Sequence, residues 1–139
     1  METLKTVMQG VALQLGMARI YSLSMCMSLR YEPTDPYVVR AAFFADTDQP
    51  VEWVLGRDLL ADGLRGSAGC GDIRIWPAVG RADQAMYIVL GPPAGTALLE
   101  VPMQDVRTFL ENTEALVPRG AEFGHIDWDL ELANLFAKG

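Results

Sequence analysis

The sequence predicts an α+β fold built on a mainly antiparallel sheet, and three observations predict it. From Tyr21 to Tyr31, Tyr21, Leu23, Met25, Met27, Leu29 and Tyr31 alternate with Ser22, Ser24, Cys26, Ser28 and Arg30, the period-2 pattern of a half-buried antiparallel strand. Strand-like segments come first and helical spacing last, the order expected of α+β rather than of alternating βαβ units. Half of the 139 residues are apolar (50%), enough for one core without a disulfide or metal staple, so a single domain over residues 1–139 is expected.

Before that strand, Val7, Val11, Leu13, Leu15 and Met17 share one parity and Gly10, Ala12, Gln14 and Gly16 the other. This predicts a first strand, interrupted at Gln9, and a long hairpin turning between Gly16 and Arg19. Pro33 to Pro36 reads as a turn, since proline fixes φ and cannot donate to a ladder. Strands follow at Tyr37 to Phe44 and Val51 to Leu55, joined by the polar Asp46–Pro50 turn. Leu59, Leu60 and Leu64 around Asp58 and Asp62 predict a short helix ended by Gly63 or Gly66. The glycine-rich stretch Gly66 to Gly71 reads as a loop into a strand at Asp72 to Trp76, stopped by Pro77. Met86 to Leu90 and Ala97 to Val101 read as a second hairpin around Gly91 to Gly95. Pro102 suits a first helical position, and Met103, Val106, Phe109 and Leu110 continue a helix to Asn112 or Leu116. After a Pro118-Arg119-Gly120 loop, Asp127 is placed to cap a last helix in which Trp128, Leu132, Leu135 and Phe136 fall at i, i+4, i+7 and i+8.

Charge narrows the function. Eleven Lys and Arg against eighteen Asp and Glu give −7, and no two basic residues are adjacent. Phosphate-backbone binding and polybasic membrane anchoring both need clustered cations. A basic face would have to be assembled from Arg19, Arg30, Arg40 and Arg74. Cys26 and Cys70 are too few for a disulfide framework or a zinc site, which suits a reducing cytoplasm. Polar residues interrupt the apolar stretch from Thr6 to Leu29, so neither an export signal nor a membrane span is expected.

Catalytic constellations are sparse. The run from Gly63 to Asp72 lacks the Gly-Lys-Ser/Thr ending of a phosphate loop and leads into a strand, so its glycines are read as turn residues. His125, the single histidine, has no nucleophile beside it in the sequence, and Cys70 has no cation nearby to activate it. Carboxylate pairs at Asp46 and Asp48, Asp127 and Asp129, and Glu111 and Glu114 are explained by a turn, a helix start and a solvated face. Trp53 and Trp76 are assigned to folding. Met8, Met17, Met25 and Met27 supply adaptable surface for core packing or a subunit interface, and the uncharged Ser22, Ser24, Ser28 face suits a partner as well as water. The reading is a protein without catalytic activity, metal or cofactor.

Several of these segments together resemble one family. Leu29-Arg30-Tyr31 with Asp35-Pro36-Tyr37, Val51-Glu52-Trp53-Val54, Arg57-Asp58-Leu59-Leu60 with Gly63, and Gly71 to Pro77 stand as in the SsgA-like proteins of sporulating actinobacteria. Phe109-Leu110 with Thr113, Val117-Pro118 with Gly120, and the Asp127–Leu135 helix follow in the same order, so the resemblance runs from Ser28 nearly to the end. It implies a curved antiparallel sheet with C-terminal helices, like the whirly and mitochondrial guide-RNA-binding proteins, assembled as a homotrimer. It further implies a non-enzymatic regulator of sporulation-specific cell division that is cytoplasmic, is recruited to the septum and helps localise FtsZ. The partner is then FtsZ or another division protein, with SsgA-like paralogues as further candidates. A single-stranded nucleic-acid-binding module is the alternative the fold leaves open. The expected contact surface is the last helix with the loop Val117, Pro118, Arg119 and Gly120, because a loop there should be exposed.

Overall fold

A computed structural model describes residues 6–18, 21–43, 48, 50–78, 84–91, 97–126 and 128–137. Strands β1 (Val7–Ala18), β2 (Tyr21–Tyr31), β3 (Val38–Phe43) and β4 (Val51–Gly56) precede helix α1 (Arg57–Gly63). Strands β5 (Ala68–Cys70), β6 (Ile73–Pro77), β7 (Ala85–Leu90) and β8 (Ala97–Pro102) follow, then α2 (Met103–Leu116), a 3₁₀ turn (Glu122–His125) and α3 (Trp128–Ala137). All eight strands form one curved antiparallel sheet in the order β4-β3-β2-β1-β8-β7-β6-β5. The expected α+β class with C-terminal helices is what the chain adopts.

The sheet is two meanders joined where β1 meets β8, with Gln14 opposite Glu100 and Leu15 opposite Leu99. Alternation fixes the register of the long β1–β2 hairpin, because a one-residue slip would turn every apolar side chain to the wrong face. Thus Val11 pairs with Met27 and Val7 with Tyr31, while Gly10 meets Ser28 and Ala12 meets Cys26 on the other face. Val11, Leu13, Leu15, Met27, Leu29 and Tyr31 are buried. Helix α2 covers that face with Val106, Phe109 and Leu110, and α1 adds Leu60 beside Ile75 and Met86.

Three local expectations shift. The glycine-rich segment holds a short strand, β5, paired with β6. Gly69, at φ +87°, sits where a Cβ would lie 2.4 Å from the Ile73 carbonyl oxygen, so the hairpin needs glycine there both for its backbone angle and for its close approach. Pro102 is the extended residue before α2 rather than its first helical one, still in register opposite Ala85. Proline suits that place because its missing N–H costs nothing where the ladder ends. Tyr37 precedes β3, its carbonyl accepting the Arg57 N–H at 2.8 Å. The Asp127 cap, Asp46, most of the Asp46–Pro50 turn and the tip of the Gly91–Gly95 turn lie outside the described residues.

Candidate partner-binding site

The segment from Val117 to Gly120 is held by a buried polar anchor that no local sequence rule signals. Arg57 opens α1 and is 1% exposed, although arginine is almost never buried without partners. Its Nη1 donates to the Val117 carbonyl at 2.7 Å and to Thr113 Oγ1 at 3.5 Å, and its Nη2 meets Glu122 Oε2 at 2.9 Å. The guanidinium lies 5.0 Å from the centre of the Tyr31 ring, and the Tyr31 hydroxyl donates to the Pro36 carbonyl at 3.0 Å. Arg57 Nε finds no acceptor among the described residues.

Glu122 completes the loop. Its Oε1 accepts the Gly120 N–H at 2.7 Å, so one carboxylate grips both the helix and the turn. The Arg57 hydrogen bond holds its carboxyl below the usual 4.5, against the upward push of burial, with the Gly120 N–H assisting. Burial pushes the Tyr31 hydroxyl up to about 12, against the pull of Arg57. Gly120 turns at φ +96°, in the left-handed region, with open space where a side chain would be.

The four residues expected to form the contact therefore differ in role. Val117 is fully buried and contributes its carbonyl to Arg57, so it positions the loop and presents no surface. Pro118, Arg119 and Gly120 are exposed. Arg119 reaches back to α1, with Nε 3.0 Å from Asp58 Oδ1 and Nη2 3.7 Å from Asp62 Oδ1. Sequence reasoning noted Arg57 only as part of a resemblance and missed Glu122, 65 residues away. The available signal was a lone glutamate inside a Pro/Gly-rich connection.

Other candidates stay apart. His125 is exposed in the 3₁₀ turn and Cys26 is exposed on β2, while Cys70 ends β5 on the opposite half of the sheet. No group of three metal-ligating side chains occurs among the described residues. Arg30 and Arg40 stand opposite each other on β2 and β3, but the basic face they begin is neutralised. Arg40 pairs with Asp35 at 3.0 Å and Glu52 at 3.4 Å, and Arg30 with Glu32 at 3.7 Å. A phosphate backbone would have to displace these carboxylates. No helix among the described residues is long and apolar enough to cross a membrane.

Comparison with known proteins agrees with this geometry. The family model for SsgA, the Streptomyces sporulation and cell division protein, matches residues 25–122, which run from within β2 through β3 to β8, α1 and α2 as far as Glu122 of the anchor. The chain is 41% identical over 133 residues to the sporulation-specific cell division protein SsgB of Streptomyces coelicolor, covering 96% of this chain and 97% of that one. It is 43% identical over 112 residues to SsgB of Frankia casuarinae, covering 81% and 78%. Among solved structures, an SsgA-like sporulation-specific cell division protein from Thermobifida fusca superposes with a TM-score of 0.84 at 35% identity, over 96% and 98% of the two chains. A Streptomyces coelicolor structure, from work on SsgB mutations that correlate to longitudinal cell division during sporulation, superposes at 0.82 with 40% identity, over 91% and 99%. With 41% identity to SsgB of Streptomyces coelicolor over 96% of its length and no support for the nucleic-acid alternative, the chain belongs to the SsgA-like family of non-enzymatic sporulation and cell-division regulators.

Proposed function

We propose that this chain acts at the sporulation septum by binding FtsZ, or another division protein close to it, through a small homo-oligomer of the trimeric kind expected of the family. The observation that carries the reading is the 41% identity, over 96% of this chain, with an SsgB protein named for sporulation-specific cell division. A trimer would present three copies of one weak site, and on a polymer the second and third contacts form at high effective concentration. Filaments are thereby tethered without any single tight contact. The whirly-like layout that the resemblance implies would serve protein contacts through its sheet.

The polymer contact is assigned to Pro118, Arg119 and Gly120. The Arg57–Glu122 anchor fixes this turn from beneath, so little ordering entropy remains to be lost on binding. Purified FtsZ with GTP, pelleted and followed by light scattering at several salt concentrations, tests the reading. Co-sedimentation with raised scattering is the expected outcome. No binding by the folded oligomer would move the contact to a different division protein. Gly120→Val and Arg119→Glu, if folded and without effect on partner binding or septum placement, would remove this turn from the contact.

A further inference from the structure

We propose that α3 is an exchange arm whose apolar face packs on a second copy of this chain, in the groove between β1, β2 and β8. The inference rests on the homo-oligomer reading above and names the surfaces that build it. Every α3 residue whose side chain is described, Trp128 to Phe136, is exposed, and the contacts Trp128 makes are with Phe123, by its ring and by an indole N–H donated to the Phe123 carbonyl at 3.3 Å. Leu130, Leu132, Leu135 and Phe136 leave 54%, 50%, 65% and 77% of their surface open, and Trp128, with Phe123 beside it, leaves 44%. A ten-residue helix is marginal in water without a packed face, so the arm needs a partner.

The chain itself carries a matching receptor. On the sheet face opposite the Val11 and Met27 core face lies a groove of about 490 Å³, lined by Ala12, Ser24, Cys26, Ala85 and Pro102 among others. Those five side chains are small, which leaves room for leucine and phenylalanine beside the longer Gln14 and Met25 that also line it. The one charged residue lining it, Glu100, accepts the Tyr87 hydroxyl at 3.0 Å. A receptor with a single charge matters because copies carrying −7 each repel elsewhere. The open apolar surface of the arm amounts to roughly 600 Å², close to the ~800 Å² per partner of a stable interface. Each copy would give an arm and receive one, which doubles what each chain buries. Arm-to-groove contact joins two different patches, so it closes into a ring when the rotation allows, as three-fold assembly requires. It also frees the Pro118–Gly120 turn for the polymer and removes α3 from the contact expected there.

The test is mass by light scattering after gel filtration, with circular dichroism as the folding control. Wild type is expected to run as an oligomer, and Leu132→Glu with Leu135→Glu as a folded single chain. An oligomeric wild type whose double variant keeps its mass overturns the arm while leaving the assembly reading in place. A wild type that runs as a single chain at every concentration overturns both. Cross-linking locates the receptor independently: in a Cys70→Ser background, Leu135→Cys should form inter-chain disulfides under mild oxidation, and Cys26→Ser should abolish them. Oligomer without that cross-link at either Leu135→Cys or Leu132→Cys places the arm elsewhere and overturns the groove.

Discussion

In α2, Met103, Val106, Phe109 and Leu110 lie against the sheet with at most 8% of their surface open; in α3, Trp128, Leu132, Leu135 and Phe136 leave at least 44% open. The two helices carry comparable apolar spacing and lie only twelve residues apart in the chain, from Leu116 to Trp128. Between them stands the Arg57–Glu122 anchor, which ends the packed body and starts α3 from a fixed point. An apolar helical face states that something must cover it. Whether the cover comes from the same chain depends on what lies within reach, and α3 leaves its leucines and Phe136 open.

The sharpest way to break this comparison is to cut the same ring from each helix. Phe109→Ala should cost about 3–5 kcal/mol, because it empties a fully buried site. Phe136→Ala should change stability by no more than about 0.5 kcal/mol at a concentration low enough that no assembly contributes. Urea midpoints measure both. Equal losses would mean that α3 packs on its own body.

The same contrast shows why much of the fold was legible and part of the site was not. Tyr21 to Tyr31 was readable to the residue, since alternation over eleven positions decides which face each side chain takes, and Val11 opposite Met27 keeps both apolar sets on one face. β5 was not, because Ala68-Gly69-Cys70 has no alternation, and only pairing with Ile73 to Ile75 makes it a strand. The loop at 117–120 was legible as a loop, yet Val117 was expected at the surface. Its burial follows from Arg57, which requires a carbonyl at that spot. Long-range polar pairs leave no periodic trace, so neither Arg57 nor Glu122 announced itself.

Breaking the anchor should be nearly as costly as emptying the core. Arg57→Ala leaves the Glu122 carboxylate and the Val117 carbonyl buried without their donor, a loss of about 3–5 kcal/mol. Glu122 also gives the anchor a pH dependence whose sign is fixed. Its carboxyl is held below 4.5 in the fold, so the unfolded chain takes up the proton first. The stability it contributes is complete above about pH 4.5 and drains as pH falls through the folded value. Tyr31 acts at the other end, where its hydroxyl, raised to about 12, favours the fold until pH climbs from 10 towards that value. Glu122→Gln should lower the urea midpoint at pH 7 and flatten its decline in acid. An unchanged acid slope would detach the anchor from that titration.

The stability effect at Arg119 is also small, and it separates holding from presenting. Its contacts with Asp58 and Asp62 are exposed pairs, in which screening and side-chain entropy offset most of the attraction, so Arg119→Ala should cost under about 1 kcal/mol. The turn should keep its shape, because Gly120 and Val117 are gripped by Glu122 and Arg57 rather than by Arg119. If the turn meets the polymer, the same substitution should lower co-sedimentation several-fold with the urea midpoint nearly unmoved. A loss of binding matched by a large loss of stability would show instead that Arg119 holds the turn, and the division of labour between buried anchor and exposed surface would fail.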